Sequence, residues 1–193
     1  ELLAEVRIPD PERALHAFPH QFSGGMRQRV AIAGALATRP KLLIADEPTT
    51  ALDVTVQAGI LRLLDDLRRE AGLSVILITH DLGVMSSIAD HVSVFYAGRI
   101  VESAPTRELL ETPRHPYTRG LIDALPHPEA PDRTELQAIP GLPPSPRNRP
   151  SGCAFHPRCA WATEASKELV PPLVPIGEKR LLACHNDPFA PGR

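Results

Sequence analysis

The sequence lacks any apolar run long enough to cross a membrane. Hydrophobic residues make up 42% of its 193 positions, but no stretch approaches the roughly 20 consecutive apolar residues that a membrane-spanning helix requires. It also opens without the basic segment and following apolar segment of a secretory signal peptide. These absences predict a cytoplasmic protein that reaches a membrane only through a partner.

The chain also lacks an excess of charge of either sign, and it has few cysteines. Its 21 Lys and Arg against 23 Asp and Glu give a formal net charge of -2, which offers no electrostatic argument for binding nucleic acid or an anionic membrane surface. The three cysteines all lie in the last quarter of the chain. An odd number of thiols confined to one end indicates a metal or redox site rather than a framework of disulfides.

Hydrophobic patterning predicts an α/β fold in the first half of the chain. Continuous apolar runs at 41–46 and 74–79 are typical of parallel strands that are buried on both faces. Ser23 and Asp53 are good N-caps and each opens a predicted helix, and residues 91–103 are predicted to form a hairpin. This alternation of strands and helices favours a mainly parallel sheet with helices on its faces.

Composition divides the chain into three predicted parts. Residues 1–103 carry the α/β pattern, residues 104–151 form a helical and proline-rich connector, and residues 152–193 form a cysteine-containing C-terminal segment. Proline is so frequent from 126 to 150 that an extended connector is predicted there rather than regular structure.

The first candidate site is a helix start within the segment FSGGMRQRV. Several backbone N–H groups are free at such a start, and two glycines allow a ligand to approach closely. The helix macrodipole adds about half a positive charge there, which suits a phosphate group. The residues concerned are Ser23, Gly24, Gly25 and Met26. Taken alone, the pattern favours the plainer interpretation of an N-cap followed by a flexible turn.

The other candidates are polar groups at the ends of the two buried strands. The run LLIADEP ends in the adjacent carboxylates of Asp46 and Glu47, at the sheet edge where α/β proteins bind ligands. One carboxylate can hold Mg²⁺, and the next can orient or deprotonate a water molecule. His80 follows the next strand and can contact a terminal phosphate or position the same water. Each pattern alone is also common as a solvated strand end or a surface histidine.

Together, in this order and at this spacing, the motifs closely resemble those of the ATP-binding-cassette ATPases. FSGGMRQRV resembles the signature, LLIADEP the Walker B strand and TALD the D-loop. The resemblance implies that Asp46 serves Mg²⁺, that Glu47 is the catalytic carboxylate and that His80 senses the γ-phosphate of ATP. It also implies that the signature completes an ATP site on an opposing subunit, and that Asp53 couples the two sites.

One element of that family is missing from the sequence. No G-x-x-x-x-G-K-[ST] loop is present, so the backbone cradle and lysine for the β- and γ-phosphates are absent. We therefore expect the C-terminal part of a longer ATPase of the P-loop-type cassette fold, unable to turn over ATP alone. The signature ends in Met26 where glutamine is common, a departure that leaves the helix-start amides undisturbed.

The second half narrows the resemblance to one branch of the family. YAGRIVESAPTRELLETPRHPYTRGLIDALP and GCAFHPRCAWA resemble the ATPase subunits of oligopeptide, dipeptide and nickel importers. The resemblance implies a peripheral subunit at the cytoplasmic face of the inner membrane, with a second cassette ATPase, two permease subunits and an extracytoplasmic binding protein. The alternatives are nickel import, a non-catalytic fragment, and a cassette ATPase acting on DNA or the ribosome, which would carry a coiled-coil insertion or a basic tail. Neither of those two features is present.

The resemblance also bears on the cysteines. The importer branch has a four-cysteine segment that can bind a 4Fe-4S cluster, and three of its positions match here, at Cys153, Cys159 and Cys184. Ser166 stands at the remaining position, and serine is a poorer ligand than thiolate for a soft iron–sulfur centre. Two alternatives stay open. One is zinc bound by three thiolates and either His156 or His185, and the other is a metal-free segment folded around its own apolar residues.

Overall fold

A computed structural model describes residues 1–125 and 138–192. The described chain forms two compact units, the first from Glu1 to Ile88 and the second from Ala89 onward. Part of the proline-rich connector predicted at 126–150 lies outside the described residues. Within the described part, no helix combines the length and the apolar character needed to cross a bilayer.

The first unit is built from helices around a short parallel sheet. Its elements are α1 (Leu2–Glu5), α2 (Pro11–Ala14), α3 (Gly24–Leu36), β1 (Leu42–Asp46), α4 (Val54–Glu70), β2 (Ser74–Ile78) and α5 (Leu82–Ile88). Strands β1 and β2 pair in parallel, with Leu42 opposite Ser74 and Asp46 opposite Ile78. The mixed α/β architecture predicted for this half is confirmed, with α4 as the crossover between the two strands.

Both long helices begin at the predicted N-caps. Ser23 Oγ accepts a hydrogen bond from the amide of Met26 at 3.3 Å, and Asp53 Oδ1 accepts one from the amide of Val56 at 2.9 Å. The core face of α4 follows helical spacing and consists of Ile60, Leu63, Leu64 and Leu67. Side chains three and four residues apart share a helix face, so α4 can cover one face of the sheet.

The opposite face of the β1–β2 pair is open. Its apolar side chains are 47% to 61% exposed and belong to Leu42, Ile44, Ile76 and Ile78. Parallel sheets are ordinarily covered on both faces, because their strands consist of apolar residues on both sides. The residues of this face are therefore typical of a buried sheet, although the face is exposed.

The second unit is built on a four-stranded antiparallel sheet. Its elements are β3 (His91–Tyr96), β4 (Arg99–Pro105), α6 (Thr106–Glu111), α7 (Pro116–Asp123), α8 (Glu164–Glu168), β5 (Val174–Gly177) and β6 (Arg180–Leu182). The strand order is β3-β4-β6-β5. Because β4 pairs with β6, the hairpin and the cysteine segment share one sheet. The compact units divide after Ile88, and the boundary predicted at 103 lies within β4.

The cysteine segment does not fold around its own apolar residues. Trp161 is 44% exposed and Leu169 is 59% exposed, while Phe155 is 3% exposed. The Phe155 ring packs at a centroid distance of 5.2 Å from Tyr96 on β3 and 5.4 Å from Tyr117 on α7. The segment is thus anchored on side chains of the hairpin and of α7.

Candidate functional site

Two carboxylates stand at the C-terminal end of β1. Asp46 is the last residue of the strand and is exposed. Glu47 follows it in the left-handed region, with a φ of +45°, and its amide donates to the carbonyl of Ile78 at 2.9 Å. A non-glycine residue in this region carries backbone strain of about 1–3 kcal/mol, which proteins concentrate at functional sites. Glu47 thus lies at the edge where β2 also ends.

Glu47 and His80 are in direct contact. His80 Nδ1 lies 3.0 Å from Glu47 Oε1, and Thr50 Oγ1 donates to Glu47 Oε2 at 2.7 Å. The hydrogen bonds from Thr50 and His80 lower the pKa of Glu47 below its ordinary value, so the group is a carboxylate at neutral pH. An ionised carboxylate whose oxygens are held by hydrogen bonds suits the orientation of an attacking water and can accept its proton as a general base.

The segment after β2 fixes the backbone that carries His80. The amide of Asp81 donates to Thr79 Oγ1 at 3.0 Å. Asp81 Oδ1 in turn accepts hydrogen bonds from the amides of Gly83, at 2.8 Å, and Val84, at 3.1 Å. His80 is thus held between a strand end and a capped helix start, while its side chain remains 76% exposed.

The signature residues form the start of α3, where two amides are free of the helix's own bonding. The first backbone bond of the helix runs from the amide of Arg27 to the carbonyl of Ser23 at 2.9 Å, so the amides of Gly24 and Gly25 precede it. Gly25 is buried, and Met26 packs partly buried against the core of the unit. This geometry fits an anion at the helix start.

The structure gathers the predicted residues into two groups. One contains Asp46, Glu47 and His80 at the ends of β1 and β2. The other contains the signature residues and Asp53, because the start of α3 packs against Leu52 and Val56 at the start of α4. Residues 48–52 connect the groups along the chain. The sequence indicates Thr50 only as the first residue of TALD, and its hydrogen bond to Glu47, three residues earlier, was missed.

Hard oxygen ligands for Mg²⁺ are present but do not form a complete cage. Among the described residues, no group of three or more His, Cys, Asp and Glu side chains is arranged to hold a metal ion. Protein sites for Mg²⁺ commonly use one or two carboxylates, with water and substrate phosphates as the other ligands. The exposed carboxylate of Asp46 fits that donor set.

The described structure does not gather the three thiols into a metal site, and the fourth position of the implied cluster is occupied by a bonded hydroxyl. Burial raises the pKa of Cys153 and of Cys159, and the proximity of Cys184 acts in the same direction. Ser166 is buried, and its Oγ accepts from the amide of Thr163 at 3.2 Å and lies 3.0 Å from Thr163 Oγ1. This capping box stabilises the start of α8. The segment therefore does not present four ligands for a four-iron cluster.

The two histidines considered for zinc are bonded to backbone carbonyls. His156 Nδ1 lies 3.0 Å from the carbonyl oxygen of Cys153, and His185 Nε2 lies 2.8 Å from that of Leu169. A carbonyl accepts only, so each of these nitrogens carries the proton. Those two nitrogens are consequently not available as zinc ligands in this arrangement.

A buried polar network, which sequence reasoning missed, holds the C-terminal segment. Glu102 on β4 is 0% exposed, and its carboxylate accepts hydrogen bonds from Arg180 at 2.8 Å and from the amides of Arg114 and His115 at 2.9 Å and 2.8 Å. Arg114 also pairs with Asp187. Burial lowers the pKa of His115 to about 4. Two of these donors are the backbone amides of Arg114 and His115, for which the sequence indicated no role.

Both units of the chain match known protein families. The family described as "ABC transporter" matches residues 1–50, and the family described as "Oligopeptide/dipeptide transporter, C-terminal region" matches residues 101–165. The chain is 52% identical over 191 residues to a putative peptide import ATP-binding protein of Brucella ovis, covering 95% of this chain and 56% of that protein. It is 54% identical over 178 residues to the oligopeptide transport ATP-binding protein OppD of Bacillus subtilis, covering 92% of this chain and 50% of that protein.

A third relative and a solved structure agree with these matches. The dipeptide transport ATP-binding protein DppD of Escherichia coli is 48% identical over 185 residues, covering 96% of this chain and 56% of that protein. The structure of cbiO1 from Clostridium perfringens, part of the ABC transporter complex cbiONQ, superposes with a TM-score of 0.51 at 35% identity. That superposition covers 57% of this chain and 43% of the other. The chain thus spans about half the length of the curated relatives it matches.

Proposed function

Because this chain belongs to the ATP-binding-cassette ATPases, with the C-terminal region of the oligopeptide and dipeptide transporter branch, we propose that it is part of a subunit that hydrolyses ATP to drive peptide import. The observation that carries the proposal is the contact between Glu47 and His80 beside Asp46. Glu47 and His80 meet at the sheet edge where Asp46 also lies. These are the three side chains to which we assign nucleotide hydrolysis. The names of the relatives at about 50% identity support peptides as the cargo.

In this proposal each residue of the strand-end group has a separate task. Asp46 would hold Mg²⁺, and the ion would supply neutralisation of the phosphate charge. Glu47 orients the attacking water and accepts its proton, and Thr50 holds the carboxylate in place. His80 fixes the other carboxylate oxygen and, being exposed, is able to reach the γ-phosphate.

The signature and Asp53 act on a partner subunit in this proposal. The free amides at the start of α3 suit a phosphate of the nucleotide bound by that partner. We propose a second cassette ATPase, two permease subunits and an extracytoplasmic binding protein as partners, at the cytoplasmic face of the inner membrane. Binding of nucleic acid is not part of the proposal.

A metal in the cysteine segment is also left out of the proposal. The hydroxyl of Ser166 is committed to the capping box of α8, and among the described residues no group of three or more His, Cys, Asp and Glu side chains is arranged to hold a metal ion. Purification without oxygen tests both the iron–sulfur cluster and the zinc site that the sequence suggested.

The test of the proposal is hydrolysis in the reassembled transporter. We expect the full-length protein, with its partner ATPase and permeases in proteoliposomes, to hydrolyse ATP faster when its binding protein is loaded with peptide. Stimulation by nickel and not by peptide would assign a different cargo, and absence of hydrolysis would contradict the proposal. The 193-residue chain alone is expected to show no saturable ATP binding by calorimetry, because micromolar binding would require a complete site.

A further inference from the structure

The start of α3 packs closely against the start of α4, where Gly25 meets Val56. A Cβ atom added at Gly25 on α3 would lie less than 3.0 Å from Cγ1 of Val56 on α4, a separation that real side chains do not adopt. Val56 is β-branched and stiff at χ1, so it has no alternative position that relieves the overlap cheaply. Val56 therefore occupies a space on α3 that only a glycine at position 25 leaves free.

A second, looser contact lies one turn further along. A Cβ added at Gly59 on α4 would lie 3.2 Å from a guanidinium nitrogen of Arg29 on α3, and Arg29 Nη1 donates to the carbonyl of Val6 at 2.8 Å. Because the far end of an arginine side chain can shift by a few tenths of an ångström, the close contact between the two helices is that of Val56 with Gly25.

Val56 is tied to the candidate site through its backbone as well. Its amide donates to Asp53 Oδ1 at 2.9 Å, which is the N-cap bond of α4. Its side chain meets α3 at the second signature glycine, beside the free amides. One residue therefore links Asp53 to the helix start that faces a phosphate in the proposed function.

We propose that Val56 is a positioning residue, and that position 25 is glycine in order to seat Val56 rather than to let a phosphate approach. The seat holds the start of α3 in a fixed register with Asp53. The catalytic consequence rests on the proposed ATPase function, whereas the packing itself does not.

A double-mutant cycle in the full-length protein separates the two reasons for the glycine. The variants are Gly25→Ala, Val56→Ala and the two combined, with the melting temperature and ATP turnover in the reassembled transporter measured for each. We expect Gly25→Ala alone to lower the melting temperature and to reduce turnover about tenfold, equivalent to ~1.4 kcal/mol. The combined variant should recover most of both, because alanine at position 56 removes the atoms that overlap.

Gly34→Ala is the matched control, since a Cβ added at Gly34 on the same helix meets nothing within 4 Å. It should leave turnover and melting temperature unchanged or slightly raise the latter. If the combined variant recovers its melting temperature but not its turnover, the glycine serves phosphate approach and the inference is overturned. The inference is also overturned if the combined variant recovers neither its melting temperature nor its turnover. If the unmutated protein shows no turnover, the proposed function fails, and the melting temperatures alone still decide whether Val56 requires the glycine.

Discussion

His80 Nδ1 lies 3.0 Å from Glu47 Oε1, a contact between residues 33 positions apart in the chain. It forms because β1 and β2 are parallel and end at the same edge of the sheet, with Asp46 opposite Ile78. The contact holds one carboxylate oxygen while Thr50 holds the other. The carboxylate therefore has a fixed orientation and stays ionised, so it is suited to orient a water molecule and to accept its proton.

Replacing Glu47 by glutamine tests this role directly. The amide keeps the shape of the side chain but cannot accept a proton, so turnover at that site should fall by about 10²–10⁴. Nucleotide binding should survive, because Asp46 and the helix-start amides are unchanged. The measurement is ATP hydrolysis by the reassembled transporter with the partner's own site silenced. Glu70→Gln, at an exposed position near the end of α4, is the matched control, and near-normal turnover of Glu47→Gln would assign the base elsewhere.

The local features of this site could be predicted from the sequence. Ser23 and Asp53 were recognised as N-caps because capping depends on residues within one turn, and the strands at 41–46 and 74–79 were recognised from continuous apolar runs. The contacts of Thr50 and Val56 were not predicted. The first depends on the left-handed turn at Glu47, and the second on how two helices approach each other, and neither is encoded in a local pattern.

Nonlocal pairing also accounts for what was missed in the second unit. Strand β6 is three residues long and joins the sheet through β4, with Glu102 opposite Leu182. So short a strand carries no recognisable alternation, and an acidic residue at position 102 gave no sign that its carboxylate would be buried. The hydroxyl of Ser166 was considered only as a metal ligand. It belongs to the capping box of α8, a helix that was not predicted.

Loss of the Glu102 charge should destabilise the second unit strongly. Glu102→Gln leaves Arg180 buried opposite a neutral amide, and the Nε atom of Arg180 already lacks a partner. Removing one member of a buried ion pair typically costs about 3–5 kcal/mol. Hydrogen exchange of the amides in β4 and β6 measures the free energy of opening of this sheet.

Glu111→Gln provides the control for that change. It breaks the exposed pair with Arg107, and such surface pairs contribute about 0–1 kcal/mol. Equal effects of the two substitutions on hydrogen exchange would contradict the assignment of Glu102 as the anchor of the C-terminal segment.

The stability of the second unit should fall as the pH falls from about 6.5 to about 4. His115 is buried and its pKa is lowered from 6.5 to about 4, so in this window the unfolded chain binds a proton that the folded chain does not. The folded state keeps its full stability above pH 6.5 and loses about 3 kcal/mol by pH 4 through this residue. Hydrogen exchange across the pH series is the measurement.

His115→Asn isolates the contribution of this histidine. Asparagine is a good N-cap and can accept the hydrogen bond that Tyr117 donates to His115 Nδ1 at 3.0 Å, but it does not titrate. The variant should lose about 3 kcal/mol of pH dependence between pH 6.5 and 4, while His16→Asn, at an exposed position, should retain it. An unchanged pH dependence in His115→Asn would place the titrating group elsewhere.

The last prediction concerns iron and rests on Ser166. Its hydroxyl is bonded to Thr163 within a capping box, and no group of three or more His, Cys, Asp and Glu side chains among the described residues is arranged to hold a metal. We therefore expect protein purified without oxygen to be colourless and free of stoichiometric iron or zinc. Ser166→Cys should bind iron and acid-labile sulfide in comparable amounts, because a thiolate then occupies the fourth position of the implied cluster. Ser166→Ala is the control, since it breaks the capping box equally without supplying a ligand. Brown, iron-containing protein with Ser166 intact would show that three thiolates suffice, and zinc lost on His156→Ala would favour a tetrahedral site.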